Sequence, residues 1–267
     1  MRMKIISGVF YSVVSCALCV AVWADEPELQ DMSDPLAVYT QAGAGYTNQG
    51  LNIKLGKSYD SGVENQMAMN IIEIKGIYGE ALGWDSGNNP RDNSVDSFRF
   101  RNFKVNTTNG RGAQVDVSYS LKESALAERS GTASYSLMQA LPKLGRFQFY
   151  PLLGGGVNFG LNIVEDDGRI DSGYSVNGAF GLVGMYSKFD VTDKIWLNYN
   201  PFWFTTLSGA TNYQENAYGP DQSDLLTHEF AASYQFTPRF NLRYFANWTE
   251  LNDFSDGNHR LEFNYQI

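Results

Sequence analysis

The chain has 267 residues, a net charge of −9, 26 glycines and 14% aromatic side chains. Its length allows one large domain or two small ones, and its acidic balance excludes a general nucleic-acid binder, which needs a basic surface for phosphates. No apolar stripe of four helical turns occurs, so strands are the expected structural unit.

In chain order, the first expected element is an export segment. Arg2 and Lys4 form a positive n-region, Ile5–Val20 is a mostly apolar h-region, and Val22-Trp23-Ala24 is a small-residue cleavage site before acidic DEPELQD. These are the marks of a signal peptide at 1–24 rather than of a spanning helix. Val13-Val14-Ser15-Cys16 has a lipobox pattern, but the apolar run continues past Cys16 to Trp23, which favours cleavage after Ala24. Cleavage there leaves 243 of the 267 residues, removes Cys16 and Cys19, and takes the net charge from −9 to −11 by removing Arg2 and Lys4. With no cysteine left, the exported part has no thiol, disulfide or cysteine-bound metal. An acidic segment at 25–35 follows, expected in the periplasm.

From residue 36 onward the chain alternates apolar and polar residues with period two. Leu51, Ile53, Leu55 and Tyr59 alternate with Asn52, Lys54, Gly56 and Ser58, and FQFYPLLGGGVNFGLNI at 147–163 keeps the pattern for seventeen residues. Such alternation predicts half-buried strands. Twelve are expected, at about 36–46, 50–59, 66–82, 94–105, 112–121, 131–141, 146–163, 173–189, 194–207, 225–236, 239–249 and 259–267. The third and fourth change phase near Ile71 and Asn102, which predicts a bulge in each. Tight turns at 142–145, 191–193 and 237–238 alternate with longer loops near 83–94, 122–130, 164–172, 208–224 and 250–258.

A water-soluble sandwich and a transmembrane barrel both fit short and long connections in alternation. A sandwich has closer turn signals and polar residues outside. A barrel in an outer membrane needs about 9–11 tilted residues per span, an even strand number, short periplasmic turns, long outer loops and aromatic girdles. Twelve is even, and Tyr59, Tyr186, Phe189, Phe236, Phe240 and Trp248 cluster near predicted strand ends. The expected fold is therefore all-β, an antiparallel up-and-down transmembrane β-barrel at 36–267. The ending LEFNYQI resembles the C-terminal assembly signal of bacterial outer-membrane barrels, although it closes on Ile267 where that signal usually has an aromatic. YPLLGGGVNFGL is similar to the Pro-aromatic and glycine strands of small porin-like barrels. The resemblance implies a place in the bacterial outer membrane, contact with its lipid, and recognition of the last strand by the barrel-assembly machinery.

With the apolar face toward lipid, Lys54, Glu73, Lys75, Arg99, Arg101, Lys104 and Asp116 point into the lumen from strands two to five. Glu229, Arg243, Arg260 and Glu262 point inward from the last three. Strands six to nine offer Ser134, Ser136, Asn158, Gly160, Asn177, Gly181, Asn198 and Asn200, a neutral arc beside a charged one. Tyr174, Val176, Gly178, Phe180, Leu182, Gly184 and Tyr186 are expected to face lipid. Seven basic against four acidic lumen groups favour a narrow passive channel for small, anionic solutes. A closed structural or adhesive barrel braced by interior ion pairs is the alternative.

A hydrolase is the third reading, and its motifs are thin. His228 and His259 are the only histidines, Asp253 and Asp256 precede the second, and neither His-x-Ser nor Gly-x-Ser-x-Gly occurs. Gly154-Gly155-Gly156 lies inside a strand with no helix or lysine after it, so no nucleotide or other cofactor is expected. The predicted outer loops carry 14 acidic and 4 basic residues, a pattern suited to bridging lipopolysaccharide through divalent cations.

Overall fold

The structure, a computed structural model, describes residues 29–47, 49–79 and 95–267. The predicted export segment and the predicted loop at 83–94 lie outside the described residues. The first six strands are β1 (Gln41–Thr47), β2 (Gly50–Asp60), β3 (Gln66–Ile77), β4 (Ser97–Asn106), β5 (Arg111–Ser120) and β6 (Ala127–Gln139). The next six are β7 (Phe147–Val164), β8 (Ile170–Asp190), β9 (Ile195–Gly209), β10 (Asp224–Thr237), β11 (Phe240–Thr249) and β12 (Asn258–Gln266). A short helix α1 (Thr211–Asn216) lies between β9 and β10.

Each strand pairs antiparallel with its sequence neighbours, and β1 closes on β12 from Gln41↔Gln266 to Thr47↔Arg260. Closure leaves no unpaired edge, which is what allows strands to stand in lipid. The short connections after β2, β4, β6, β8 and β10 share one end with the start of β1, here the turn end. The opposite, loop end holds the long connections after β9 and β11, together with the tight β1–β2 connection at 48–49.

Outward positions carry exposed apolar side chains, among them Leu55, Ile72, Phe100, Leu137, Leu153, Val183 and Phe263. Aromatic rings gather at both ends of this band. Phe147 stacks on Phe189 at 4.6 Å and Phe236 on Phe240 at 5.5 Å at the turn end. His228 stacks on Trp248 at 5.0 Å and Trp248 meets Phe254 at 5.1 Å at the loop end. This is an apolar belt between two girdles, as a membrane requires. On β7 the pattern is realised along most of its length, with Leu153 and Val157 exposed outside and Tyr150 and Leu152 buried inside. It breaks at Asn162, where φ is +55° and the register against β8 shifts, so that Ile163, expected to face lipid, is buried. The glycines of its inner face leave room for Phe180. A Cβ at Gly156 would lie 2.8 Å from Phe180 Cζ and 2.4 Å from the Ala133 carbonyl oxygen.

Three expectations are corrected. The β3–β4 register runs unbroken from Gln66↔Asn106 to Lys75↔Ser97, with no bulge at Ile71 or Asn102. The extra residue lies at Lys75–Gly76, between the pairs Leu51↔Ile77 and Ile53↔Ile74. Gly76 takes φ +73° there, and a Cβ would strike the Asp96 carboxylate at 2.1 Å, so glycine is required on both counts. Without a phase change, Lys104 points outward and is exposed, while Phe103 and Val105 point inward and are buried. The apparent phase change is instead a change of interior, from polar to apolar near the turn end.

The second correction concerns β8. Its register against β7 shifts between Asn158↔Gly178 and Phe159↔Val176, and the extra residue is Asn177. A bulge of one residue moves every later side chain to the other face. Val176 and Tyr174 stay outside, but Phe180 and Leu182 are buried in the interior and Tyr186 packs against them. Gly181 in turn faces out, beside Leu207.

The third correction is at the start of the barrel. Residues 36–40 alternate like a strand but precede β1 and fold inside the turn end. Val38 joins a buried cluster with Met69, Ile71, Phe103, Val105, Met138, Leu152, Phe180 and Leu182, and Leu36 packs on it. Thr40 Oγ1 meets Ser58 Oγ at 2.9 Å. The segment ahead of it, expected at the periplasmic side, enters the turn-end opening at 32–35 and lines the interior cavity.

Candidate functional site

Ten of the eleven predicted lumen charges line the interior; Lys104 is the exception. Strands bring them together in clusters that sequence distance hides. Glu262 on β12 receives Lys54 Nζ at 2.6 Å from β2, and Arg260 Nε lies 3.2 Å from its other oxygen. β1 separates those strands, and its inward Gly43 passes the Lys54 stem, since a Cβ there would lie 3.1 Å from Lys54 Cε. Glu73 on β3 is held by Arg101 on β4 and lies 3.3 Å from Lys75 Nζ. Arg99 Nε donates to Asp116 Oδ1 at 2.9 Å, and Gln114 Nε2 donates to Asp116 Oδ2 at 2.9 Å.

The remaining charges use neutral partners. Arg243 donates to Ser233 Oγ at 3.0 Å and Asn198 Oδ1 at 2.9 Å. Glu229 accepts from Asn200 Nδ2 at 2.8 Å. The Arg243 and Arg260 guanidiniums also lie over the Phe245 ring at 4.6 and 4.1 Å. These contacts satisfy buried charge without neutralising it fully. The ten groups are six basic and four acidic, a surplus of two positive charges at mid-barrel. Lys122, Asp34, Asp96 and Asp256, which border the same cavities nearer the two ends, bring the whole lining to seven basic and seven acidic groups.

Among the described residues, three large cavities follow the barrel axis. The first, about 480 Å³, runs from Thr47, Gln49 and Lys122 at the loop end to Met32, Ser33, Asp34 and Pro35 at the turn end, and nine of the ten charges border it. The second, about 710 Å³, is a loop-end vestibule bordered by Asp116, Ser134, Phe180, Phe202, Phe204 and Tyr218. Lys75, Arg99, Arg101, Tyr186 and Glu229 border both, so the two cavities adjoin at their level. A third, about 560 Å³, opens at the turn end and shares Met32 and Ser33 with the first. Those two residues form the floor between them.

Four contacts seat that floor. Met32 is 6% exposed, with its sulfur 3.3 Å from Gln235 Nε2 and 3.7 Å from Asn241 Nδ2. Asp34 Oδ1 accepts from the Tyr150 hydroxyl at 2.9 Å. Lys188, buried, lies 3.4 Å from Asp31 and 3.1 Å from Asp190. Partial burial pushes the Asp31 carboxyl up, but the Ser33 donors at 2.6 and 2.9 Å and the Lys188 charge outweigh it and hold Asp31 below its ordinary value.

Both histidines face outward in the loop-end girdle. His228 Nδ1 meets the Tyr199 hydroxyl at 2.9 Å, and His259 Nδ1 meets the Tyr244 hydroxyl at 2.7 Å. Among the described residues neither stands against a lumen carboxylate or serine.

No protein-family model matches the chain, and no curated protein matches it in sequence. Solved structures do. The COG4313 outer membrane channel from Pseudomonas putida F1 superposes with a TM-score of 0.52 at 9% identity, over 89% of this chain and 99% of that one. The NanC porin superposes with a TM-score of 0.51 at 7% identity, over 85% of this chain and 100% of that one. The fold is that of an outer-membrane β-barrel. At such identities the likeness extends to architecture, and residue roles rest on the geometry above.

Sequence reasoning missed two parts of the site. One is the floor at Met32–Pro35, for which the acidic segment offered no period-two signal. The other is the inner wall of Phe180, Tyr186, Phe202 and Phe204. A signal for it was present: Pro201-Phe202-Trp203-Phe204 is apolar on both faces of one strand, which requires an apolar interior at that level as well as lipid outside.

Proposed function

We propose that the chain is a narrow passive channel of the bacterial outer membrane for small, anionic solutes, held nearly shut at the turn end by its own N-terminal segment. The observation that carries this reading is the 480 Å³ cavity along the charged arc, which reaches the loop-end rim at one end and the Met32–Pro35 floor at the other. A solute descending it stays beside Lys75, Arg101, Arg243 and Arg260, with the asparagines 198 and 200 as neutral donors. The acidic loops stand in solvent, where a screening length of about 8 Å weakens them. The surplus of two positive charges among the mid-barrel groups therefore acts on a solute at that level at closer range than the negative charge outside.

The floor is acidic, with Asp31 and Asp34 across the opening, so leaving the channel requires it to move aside. In this reading the loop end faces outward and the turn end faces the periplasm, the arrangement that places short turns on the periplasmic side. A closed barrel braced by ion pairs is the second reading, favoured by the close Lys54–Glu262 and Arg101–Glu73 contacts. Reversal potential under a salt gradient separates the two. The unmodified protein should favour chloride over potassium, and Lys75→Glu, which cancels the surplus of two, should abolish that preference. Cation preference in the unmodified protein contradicts the charge argument.

A further inference from the structure

We propose that the loop-end vestibule binds a small aromatic monocarboxylate. The idea deepens the channel reading and rests on it for the ligand's route, though binding itself can be measured without conduction. Five rings form a continuous wall: Phe180, Tyr186, Phe202, Phe204 and Tyr218. Tyr186 meets Phe202 edge-on at 5.2 Å, Phe202 meets Phe204 at 6.4 Å, and Phe204 meets Phe180 at 6.2 Å and Tyr218 at 6.4 Å. Inward glycines back two of them. A Cβ at Gly184 would lie 2.4 Å from Phe202 Cδ1, and one at Gly156 would lie 2.8 Å from Phe180 Cζ. Those rings therefore lie against the barrel wall rather than filling the lumen.

Tyr186, Phe202 and Phe204 remain partly exposed to a space of about 710 Å³. That volume is within the range of about 300–1,000 Å³ usual for small-ligand sites. Flat rings stacked or edge-on at these spacings offer a further ring the same geometry they offer one another.

The opposite wall supplies the charge. In a ring of twelve strands, β3 stands six places from β9 and so faces Phe202 and Phe204 across the lumen. On β3, β4 and β5, Lys75, Arg99 and Arg101 face Glu73 and Asp116, which leaves one positive charge unmatched. Lys75 carries it. Glu73 is already held by Arg101, while the Lys75 side chain is 31% exposed and its amine is the longer partner at 3.3 Å. That local surplus suits one carboxylate seated at Lys75, apart from Glu229 and Asp256, which border the same vestibule from other elements. A second anionic group on the ligand would meet Glu73, Asp116 or Glu229 instead.

Isothermal titration of the full-length folded protein in micelles, corrected for partition into empty micelles, tests this with benzoate, benzyl alcohol, acetate and glucuronate. Benzoate should bind saturably and about tenfold more tightly than the other three, one lacking the charge and two lacking the ring. Phe202→Ala with Phe204→Ala should reduce benzoate to the acetate level, and Lys75→Gln should reduce it to the benzyl alcohol level. If the double variant does not fold, Phe204→Leu keeps volume and removes one ring, and it should weaken benzoate alone. Equal binding of benzoate and acetate, or of benzoate and glucuronate, overturns the site. Bilayer currents from the same preparation separate the two ideas. Currents without benzoate binding leave the channel and remove the site; benzoate binding without currents leaves the site and removes the channel.

Discussion

Truncating Met32 to alanine perturbs the turn-end closure at the floor shared by its two cavities. The side chain is 6% exposed, rests on the Gln235 and Asn241 amides, and borders the cavities on both sides of the floor. Replacing a buried methionine by alanine costs about 2–5 kcal/mol. The lower figure applies here, because the floor borders space on two sides and its neighbours can relax. About 2 kcal/mol is roughly a 30-fold change in the ratio of unseated to seated segment. The remaining tethers are the Tyr150–Asp34 hydrogen bond, worth about 1.5–3 kcal/mol with its charged acceptor, and the Asp31–Lys188 pair, worth less than about 1 kcal/mol because Asp31 is 65% exposed. They should keep the segment near the opening and the change reversible. Single-channel recording reads the effect directly, and Met32→Ala should raise the ratio of open to closed time about 30-fold. Deleting Asp31–Pro35 should leave the channel open. If both variants gate and conduct as the unmodified chain does, the segment does not close the passage.

Three further outcomes follow from the same geometry. Single cysteines at Gly168, Asn212 and Ser255 should label on intact cells with an impermeant reagent and one at Lys143 should not; the opposite result reverses the orientation. Asp166 accepts from the Asn212 and Thr211 backbone N–H groups at 2.6 and 3.2 Å, and these donors hold its carboxyl below the ordinary 3.8. A lowered folded value means the contact is complete above about pH 3.8 and lost as pH falls further, so the distance between labels at Gly168 and Gln214 should stay constant to about pH 4 and grow below it. Separation already at pH 6 contradicts this. Magnesium or calcium should raise the unfolding temperature in membranes containing lipopolysaccharide, through the acidic loops, and chelation without any shift removes that idea.

Much of the barrel was legible because lipid demands a strict period of two. The strand pattern of β7, with Leu153 and Val157 outside and Tyr150 inside, could be read from residue order alone, as could the inward charges of β2, β11 and β12. What period two does not reveal is which face meets lipid when both are apolar. Phe103 and Val105 continued an apolar face after Arg99 and Arg101, and a polar lumen made that look like a bulge; the interior there is apolar, so Lys104 was placed on the wrong side. On β8 the reverse happened. Val176, Gly178 and Phe180 keep the period through the sequence, while the extra residue at Asn177 turns Phe180, Leu182 and Tyr186 inward. Leu36 and Val38 alternate as a strand does, yet their partners are Met69, Ile71 and Met138 inside the barrel, contacts of long sequence separation that no local pattern encodes.

The passage along the charged arc is tested most directly by current through a planar bilayer containing the refolded, unmodified protein under a potassium chloride gradient. Discrete current steps with a reversal potential on the chloride side are the expected result. A bilayer that conducts no better than bare lipid, both with the intact chain and after deletion of Asp31–Pro35, would contradict a channel and leave a closed barrel braced by its ion pairs.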